Sequence, residues 1–366
     1  MNHPARIQRL REVLSRDNLP QLLVTDLLNV RWLSGFTGSN GQLLVDVERA
    51  VLVTDSRYTD QAASEVPSAV TVEVASSSPG DRANDHLITL ADEHPSLGIE
   101  GANFTVAALD GLTAALAEAG STLDPVPTKN LVADLRQTKD AAEIAALKTA
   151  CQIADGALAD ILPNLRAGVT ERDLARQLEW QMAERGSERP SFQTIVASGP
   201  NGARPHARPS ERMLENGDLV VIDFGATVDG YGSDMTRTLV VGGKPTNEQS
   251  EWYRCVLAAQ QAGVAAAVVG AELRDVHHTT LDHLSDSGQA GVYQHGTGHG
   301  VGLFIHENPI LSPSAEGSVE SAMALTIEPG AYVAGVGGIR VEDLLITSPE
   351  GPEPITLFPK GLVPAL

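Results

Sequence analysis

Residues 220–238 read VVIDFGATVDGYGSDMTRT, and this stretch decides the fold. Four apolar residues, 219–222, run into Asp223, and Asp234 follows eleven positions later beyond a Gly-rich turn. A strand, a turn and a returning strand bring both carboxylates to one place. A carboxylate at the end of a buried strand is costly unless a cation or a hydrogen-bond donor satisfies it. Turn capping would account for either aspartate alone.

Two later stretches repeat the anomaly. Residues 293–309, YQHGTGHGVGLFIHENP, hold His295, His299 and His306, three of the ten histidines in the chain. His295 and His299 are spaced to share a helix face, but the glycines at 296, 298, 300 and 302 argue for extended or turning backbone. Residues 324–333, ALTIEPGAYV, place Glu328 at the end of an apolar strand. Residues 337–346, GGIRVEDLLI, place Glu342 in another, beside Arg340. An ion pair of Arg340 with Glu342 or Asp343 would explain one carboxylate and leave Glu328 unexplained. Asp223, Asp234, His299, Glu328 and Glu342 together make an oxygen-rich set with one nitrogen. Converging anions repel unless cations lie among them. Such a set suits Mn²⁺ first, with Zn²⁺, Co²⁺ and Fe²⁺ as alternatives, and bridging carboxylates could hold two ions ~3.5–4 Å apart.

Around these strands the chain changes texture near residue 130. Residues 21–26 and 41–55 read as short strands, the latter split by a turn at 46–49, and 82–94 and 106–120 carry helical periodicity. This alternation predicts a small α/β domain over 1–128, with a linker in the proline-bearing LDPVPTKN from Leu123. Residues 133–162 predict one long helix and 170–186 a second, opened by Thr170. Strands over 191–198, 218–230 and 232–242, then a helix over 247–269, predict an α+β domain over 129–366 with largely antiparallel sheets.

Composition sets the outer limits. The 366 residues include 26 Lys+Arg and 47 Asp+Glu, a formal charge of −21, so a phosphate backbone is repelled and nucleic acid is excluded as a partner. Cys151 and Cys255 form neither a disulfide framework nor a zinc knuckle, which points to a reducing compartment. No apolar h-region opens the chain, and no stretch reaches the ~18 apolar residues of a membrane span. A cytoplasmic protein without a membrane partner is expected.

These motifs resemble the pita-bread metallopeptidases, in the branch of Xaa-Pro aminopeptidase (aminopeptidase P) and Xaa-Pro dipeptidase (prolidase). The resemblance implies an α+β pita-bread catalytic domain preceded by a smaller α/β creatinase-like domain. It implies metal ligation by Asp223 (IDFG), Asp234 (SDMTRT), His299 (GHGVG), Glu328 (TIEPG) and Glu342 (RVED). It further implies catalytic and substrate-binding roles for His206 (in GARPHARPS), His295 and His306, proton transfer by Glu328, and substrate binding or ligand orientation by Arg340. NVRWLSGFTGSNGQLLV and VLVTDSRYTDQA, with Arg57 and Tyr58, resemble the N-terminal domain of aminopeptidase P more than that of prolidase. The activity expected is therefore metal-dependent removal of the residue before an N-terminal Xaa–Pro bond, by a hydroxide held between two divalent ions, in a homodimer. A prolidase restricted to dipeptides is the alternative within enzymes. A peptide-binding scaffold that has kept the fold is the alternative outside them.

Overall fold

The computed structural model describes residues 1–75, 88–92, 94–286 and 296–363. The chain forms two compact units, Met1–Arg136 and Gln137–Leu366. The first contains α1 (His3–Arg16), β1 (Gln21–Val24), α2 (Leu27–Ser34), β2 (Gly41–Asp46), β3 (Ala50–Asp55), α3 (Thr59–Glu65), β4 (Thr71–Ala75), β5 (Ser96–Glu100), α4 (Val106–Glu118), β6 (Asp124–Thr128) and α5 (Leu131–Leu135). Its strands form one mixed sheet in the order β4-β3-β2-β1-β5-β6. The β2–β3 hairpin turns where expected, because the Asp46 carboxylate accepts from the backbone N–H of Glu48 at 2.7 Å and of Arg49 at 2.5 Å. The helix expected over 82–94 lies largely outside the described residues.

The expected linker is a strand. Residues Asp124–Thr128 pair in parallel with Ser96–Glu100 at the sheet edge, where Pro125 and Pro127 can sit without breaking a ladder from both sides. The unit also runs past the expected break at 128. Arg9 donates to the Leu135 carbonyl at 3.2 Å and Arg136 to Asn29 Oδ1 at 2.7 Å, which binds α5 and its end to the first unit.

The second unit contains α6 (Ala141–Ile161), α7 (Glu171–Glu184), β7 (Ile195–Ser198), β8 (Leu219–Phe224), β9 (Thr227–Val228), β10 (Tyr231–Gly232), β11 (Met235–Val240), α8 (Asn247–Ala266), α9 (Leu273–Asp286), β12 (Gly298–Gly300), β13 (Glu307–Leu311), β14 (Ala324–Ile327), β15 (Gly330–Val333), β16 (Gly337–Arg340), β17 (Asp343–Ile346) and β18 (Glu353–Pro354). The single helix expected over 133–162 is two. Asp140 accepts from the N–H of Glu143 while the Glu143 carboxylate accepts from the N–H of Asp140, a capping box that starts α6 afresh. Helix α9, which the sequence reading passed over, packs beside α8. Every strand pairing in this unit is antiparallel, in sheets ordered β11-β8-β7 and β13-β12-β14-β17-β18 with the small ribbons β10-β9 and β15-β16. No described helix is long and apolar enough to cross a membrane.

Strand alternation on β8 and β11 decides where the polar residues go. Val220, Ile222 and Phe224 share a core with Leu158 of α6, Leu174 and Leu178 of α7, and Met235 and Leu239 of β11. Asp223 therefore points to the opposite face, and so do Thr236 and Thr238 on the neighbouring strand. A slip of one residue would drive Asp223 into that apolar core, where an unpaired carboxylate costs several kcal/mol. The register Asp223↔Thr236 is thus fixed by the buried face.

Candidate metal centre

On the polar face, Asp223, Asp234, His299, Glu328 and Glu342 line one cavity of about 490 Å³, with His206, His306 and Arg340 at its wall. The structure brings every described residue of the expected set to this place. His295 lies outside the described residues. Each side chain arrives by its own route. Asp223 comes from the end of β8, Asp234 from the residue before β11, His299 from the middle of β12, Glu328 from just past β14 and Glu342 from between β16 and β17.

The imidazole of His299 is oriented by its backbone. Nδ1 lies 3.1 Å from the Gly300 carbonyl, which can only accept, so Nδ1 carries the proton and Nε2 presents its lone pair. Nε2 lies 3.6 Å from Asp234 Oδ2 and 3.4 Å from Glu328 Oε1. Burial pushes its pKa down to about 4, with the nearby His306 pushing the same way against hydrogen bonds to the Gly300 and Ile305 backbone. The ring is neutral at pH 7, the form that binds a metal. The strand carrying it is tightly seated. The His299 N–H donates to Thr326 Oγ1 at 2.9 Å, and a Cβ on Gly298 would run into the Thr326 carbonyl. Gly298→Ala is therefore expected to part β12 from β14 and to reduce metal retention by 10-fold or more, about the loss seen when a ligand's support is removed. Equilibrium dialysis against Mn²⁺ checks it; unchanged affinity would mean that the strand shifts without moving the ring.

The carboxylates are in electrostatic conflict. Burial, then Glu342, Asp223 and Glu328 in that order, raise Asp234 well above the usual carboxylate range, and Arg340 opposes this only in part. Burial, then Glu328 and Asp223, raise Glu342 likewise, while a hydrogen bond from Thr236 and the charge of Arg340 act against it. Glu328 is pushed up to about 8 by burial, with Arg340 lowering and Asp223 raising it. Arg340 relieves one member. Its Nη2 pairs with Asp223 Oδ2 at 2.6 Å, its Nη1 donates to Tyr332 Oη at 2.8 Å and to the Pro205 carbonyl at 3.3 Å, and its Nε donates to Thr236 Oγ1 at 3.0 Å. The expected pairing with Glu342 or Asp343 is not formed; Asp343 pairs with Arg237 at 2.9 Å. Thr236 passes the order on, donating to Glu342 Oε2 at 2.7 Å. Thr236 and Tyr332 were not expected here. Thr236 was findable, two residues beyond Asp234 on the same strand face; Tyr332 sits in an apolar run and carries no such signal.

These residues fit a divalent cation. Donor atoms of Asp234, His299 and Glu342 all lie within 4.8 Å of one another. Asp223 Oδ1 is buried and has no hydrogen-bond partner among the described residues. An orphaned buried oxygen beside mutually repelling carboxylates needs positive charge, and one guanidinium does not supply enough. His306 stands at the open side, its ring centroid 4.5 Å from that of His299, and is lowered by burial and by His206 against the pull of Asp223.

The N-terminal motif residues form a local network. Arg57 donates from Nε and Nη2 to Asp55 at 2.8 Å each, and the Tyr58 ring meets Phe36 edge-on at 5.6 Å. Both contacts lie within the first unit.

Comparison with known proteins agrees with this picture. Residues 145–349 match metallopeptidase family M24, and residues 6–138 match the creatinase/prolidase N-terminal domain. An uncharacterized peptidase, YqhT, of Bacillus subtilis is 36% identical over 98% of this chain and 99% of its own. The solved Xaa-Pro dipeptidase from Bacillus anthracis superposes with a TM-score of 0.92 at 37% identity, covering 99% of both chains. The X-Pro aminopeptidase from Thermotoga maritima does so at 0.86 and 30% identity, covering 97% of this chain and 98% of the other. This chain therefore belongs to metallopeptidase family M24, in the branch of Xaa-Pro aminopeptidases and Xaa-Pro dipeptidases, with a pita-bread catalytic domain behind a creatinase-type N-terminal domain.

Proposed function

We propose that this protein is a dinuclear, Mn²⁺-dependent Xaa-Pro aminopeptidase that removes the residue preceding an N-terminal Xaa–Pro bond. The observation that carries the reading is one cavity wall bearing four carboxylates, an imidazole with its Nε2 turned inward, and two further imidazoles. Four ionised carboxylates against one guanidinium leave three negative charges. One divalent ion leaves this excess uncompensated and two overcome it, which supports a pair. The oxygen-rich donor set favours Mn²⁺ over softer ions. When bound, the ions would polarise the scissile carbonyl and lower the pKa of water.

The chain's own residues do the rest. Asp223, Asp234, His299, Glu328 and Glu342 hold the ions, and Arg340 keeps Asp223 in place. Glu328 is the proton carrier. Burial, opposed by Arg340 and aided by Asp223, takes its carboxyl up to about 8, where it can take a proton and return it. His206 and His306, at the rim, donate to the charge that develops on the carbonyl oxygen; His295 is assigned with them. Phe192, Ile195, Ala207 and Ile310 offer the proline ring an apolar wall. An imide before proline has no N–H to be held by, so ring contact and amine recognition must replace that bond.

A second reading, a dipeptidase, is favoured by the name of the Bacillus anthracis relative. Hydrolysis of Gly-Pro beside Gly-Pro-Gly-Gly, with protein stripped of metal and reloaded with Mn²⁺, separates the two. Metal-dependent cleavage of the tetrapeptide is the expected result. Cleavage of the dipeptide alone makes the protein a prolidase. Silence on both with metal bound leaves a peptide-binding scaffold.

A further inference from the structure

Glu171 opens helix α7, away from the cavity wall, and is fully buried. Its carboxylate receives five donor groups. Oε1 accepts from Ser198 N and Ser198 Oγ, both at 2.7 Å, and from Asn201 Nδ2 at 3.1 Å. Oε2 accepts from Ser210 N at 3.0 Å, Ser210 Oγ at 2.6 Å and the same Asn201 Nδ2 at 3.1 Å. Burial by itself would raise this carboxyl; the Ser210, Ser198 and Asn201 donors outweigh it and hold the group below its ordinary value. It is thus an ionised, acceptor-only group at pH 7, and only such a group can satisfy five donors at once.

Ser198 ends β7 and Ser210 lies twelve positions later, with His206 between them. The segment is a short 3₁₀ turn, Gly199–Ala203, followed by irregular backbone whose own bonds are Arg204 N to the Asn201 carbonyl and Ala207 N to the Arg204 carbonyl, both 3.1 Å. No side-chain hydrogen bond to the His206 ring is present among the described residues. Its place at the cavity rim is set by where the two ends of the segment are tied and by the bond from Arg340 to the Pro205 carbonyl at 3.3 Å.

We propose that Glu171 is a positioning residue for the reaction: by tying Ser198 to Ser210 it fixes His206 at the cavity, while touching neither substrate nor metal. The proposal rests on the reading above that His206 acts on the scissile carbonyl. Glutamine in its place would present an NH₂ to groups that are themselves donors and would untie one end of the segment. A displacement of about 1 Å at a reacting group can cost about 10²-fold.

The test uses the full chain loaded with Mn²⁺ and its best Xaa-Pro substrate. Glu171→Gln is expected to lower kcat about 10- to 100-fold, with KM changed less and metal stoichiometry intact. In a His206→Ala background the same change is expected to cost nothing further, because the group being positioned is gone. Glu171→Asp, which keeps the charge, is expected to recover part of the loss. Ser210→Ala, which keeps the carboxylate and removes one donor, is expected to show a smaller loss with the same dependence on His206 and serves if Glu171→Gln does not fold. A fall that adds fully to that of His206→Ala, or lost metal, would overturn the proposal. Wild-type activity in His206→Ala itself would instead remove the reading of His206 beneath it.

Discussion

Alanine in place of His299 is expected to lower kcat/KM at least about 10³-fold and to leave protein that loses its ions on gel filtration. Residues that merely support a ligand are worth 10–100-fold, so a donor facing the cage should exceed that. His299 is the one nitrogen in the set, and its Nε2 lies within 3.6 Å of Asp234 and 3.4 Å of Glu328. Without it, the carboxylates keep their mutual repulsion and lose the neutral donor that spaces them. Folding should suffer far less. The ring is neutral, with its pKa near 4, so its removal strands no charge. Metal content and circular dichroism on the same preparation read both effects. Near-normal turnover with stoichiometric metal would sink the assignment.

Arg237→Met is expected to cost about 3–5 kcal/mol of stability, the usual penalty for leaving a buried charge without its partner. The guanidinium and the Asp343 carboxylate are both fully buried and 2.9 Å apart. Arg237 also donates to the Phe358 carbonyl at 2.8 and 3.1 Å, to that of Thr236 at 3.0 Å, and to that of Glu342. Asp343 keeps Gln260 at 2.9 Å, Thr356 at 3.0 Å and the half-buried Lys360. Burial alone would raise Asp343; Arg237, then Lys360, hold it below the usual range. The urea midpoint should fall with an unchanged m-value. Adding Asp343→Asn to Arg237→Met should restore part of the loss, because the stranded charge is then removed. A single variant within about 1 kcal/mol of the parent would show that water or Lys360 replaces the guanidinium.

Part of this was legible in the chain because a carboxylate in an apolar strand is an exception that demands a cause. Asp223, Glu328 and Glu342 each announced themselves that way, and glycine density around His299 correctly excluded a helix. What stayed hidden depends on pairing across strands. Arg340 stands two residues before Glu342 in sequence, yet its partner is Asp223, more than a hundred residues upstream, and alternation along one strand cannot show that. Pro125 and Pro127 suggested a linker because proline breaks interior ladders; only the sheet order reveals an edge that tolerates them. The expected long helix failed for a local reason that could have been seen, since Asp140 and Glu143 spell a capping box. Glu171 gave no signal, because an acidic first-turn residue is commonplace and its partners lie 27 to 39 positions away.

Asp155 on α6 accepts from the backbone N–H of Leu357 at 2.8 Å and of Phe358 at 3.0 Å, and Phe358 fills the core beneath β8. The two distant ends of the second unit are thus stitched together behind the strands that carry the carboxylates. A ribosome delivers Asp155 about two hundred residues before its partners, and closures over such spans come late in folding. Glu342, the last of the five cavity-lining ligand candidates, is itself made only sixteen residues before Phe358, so nearly all of this unit must be synthesised before the set is complete.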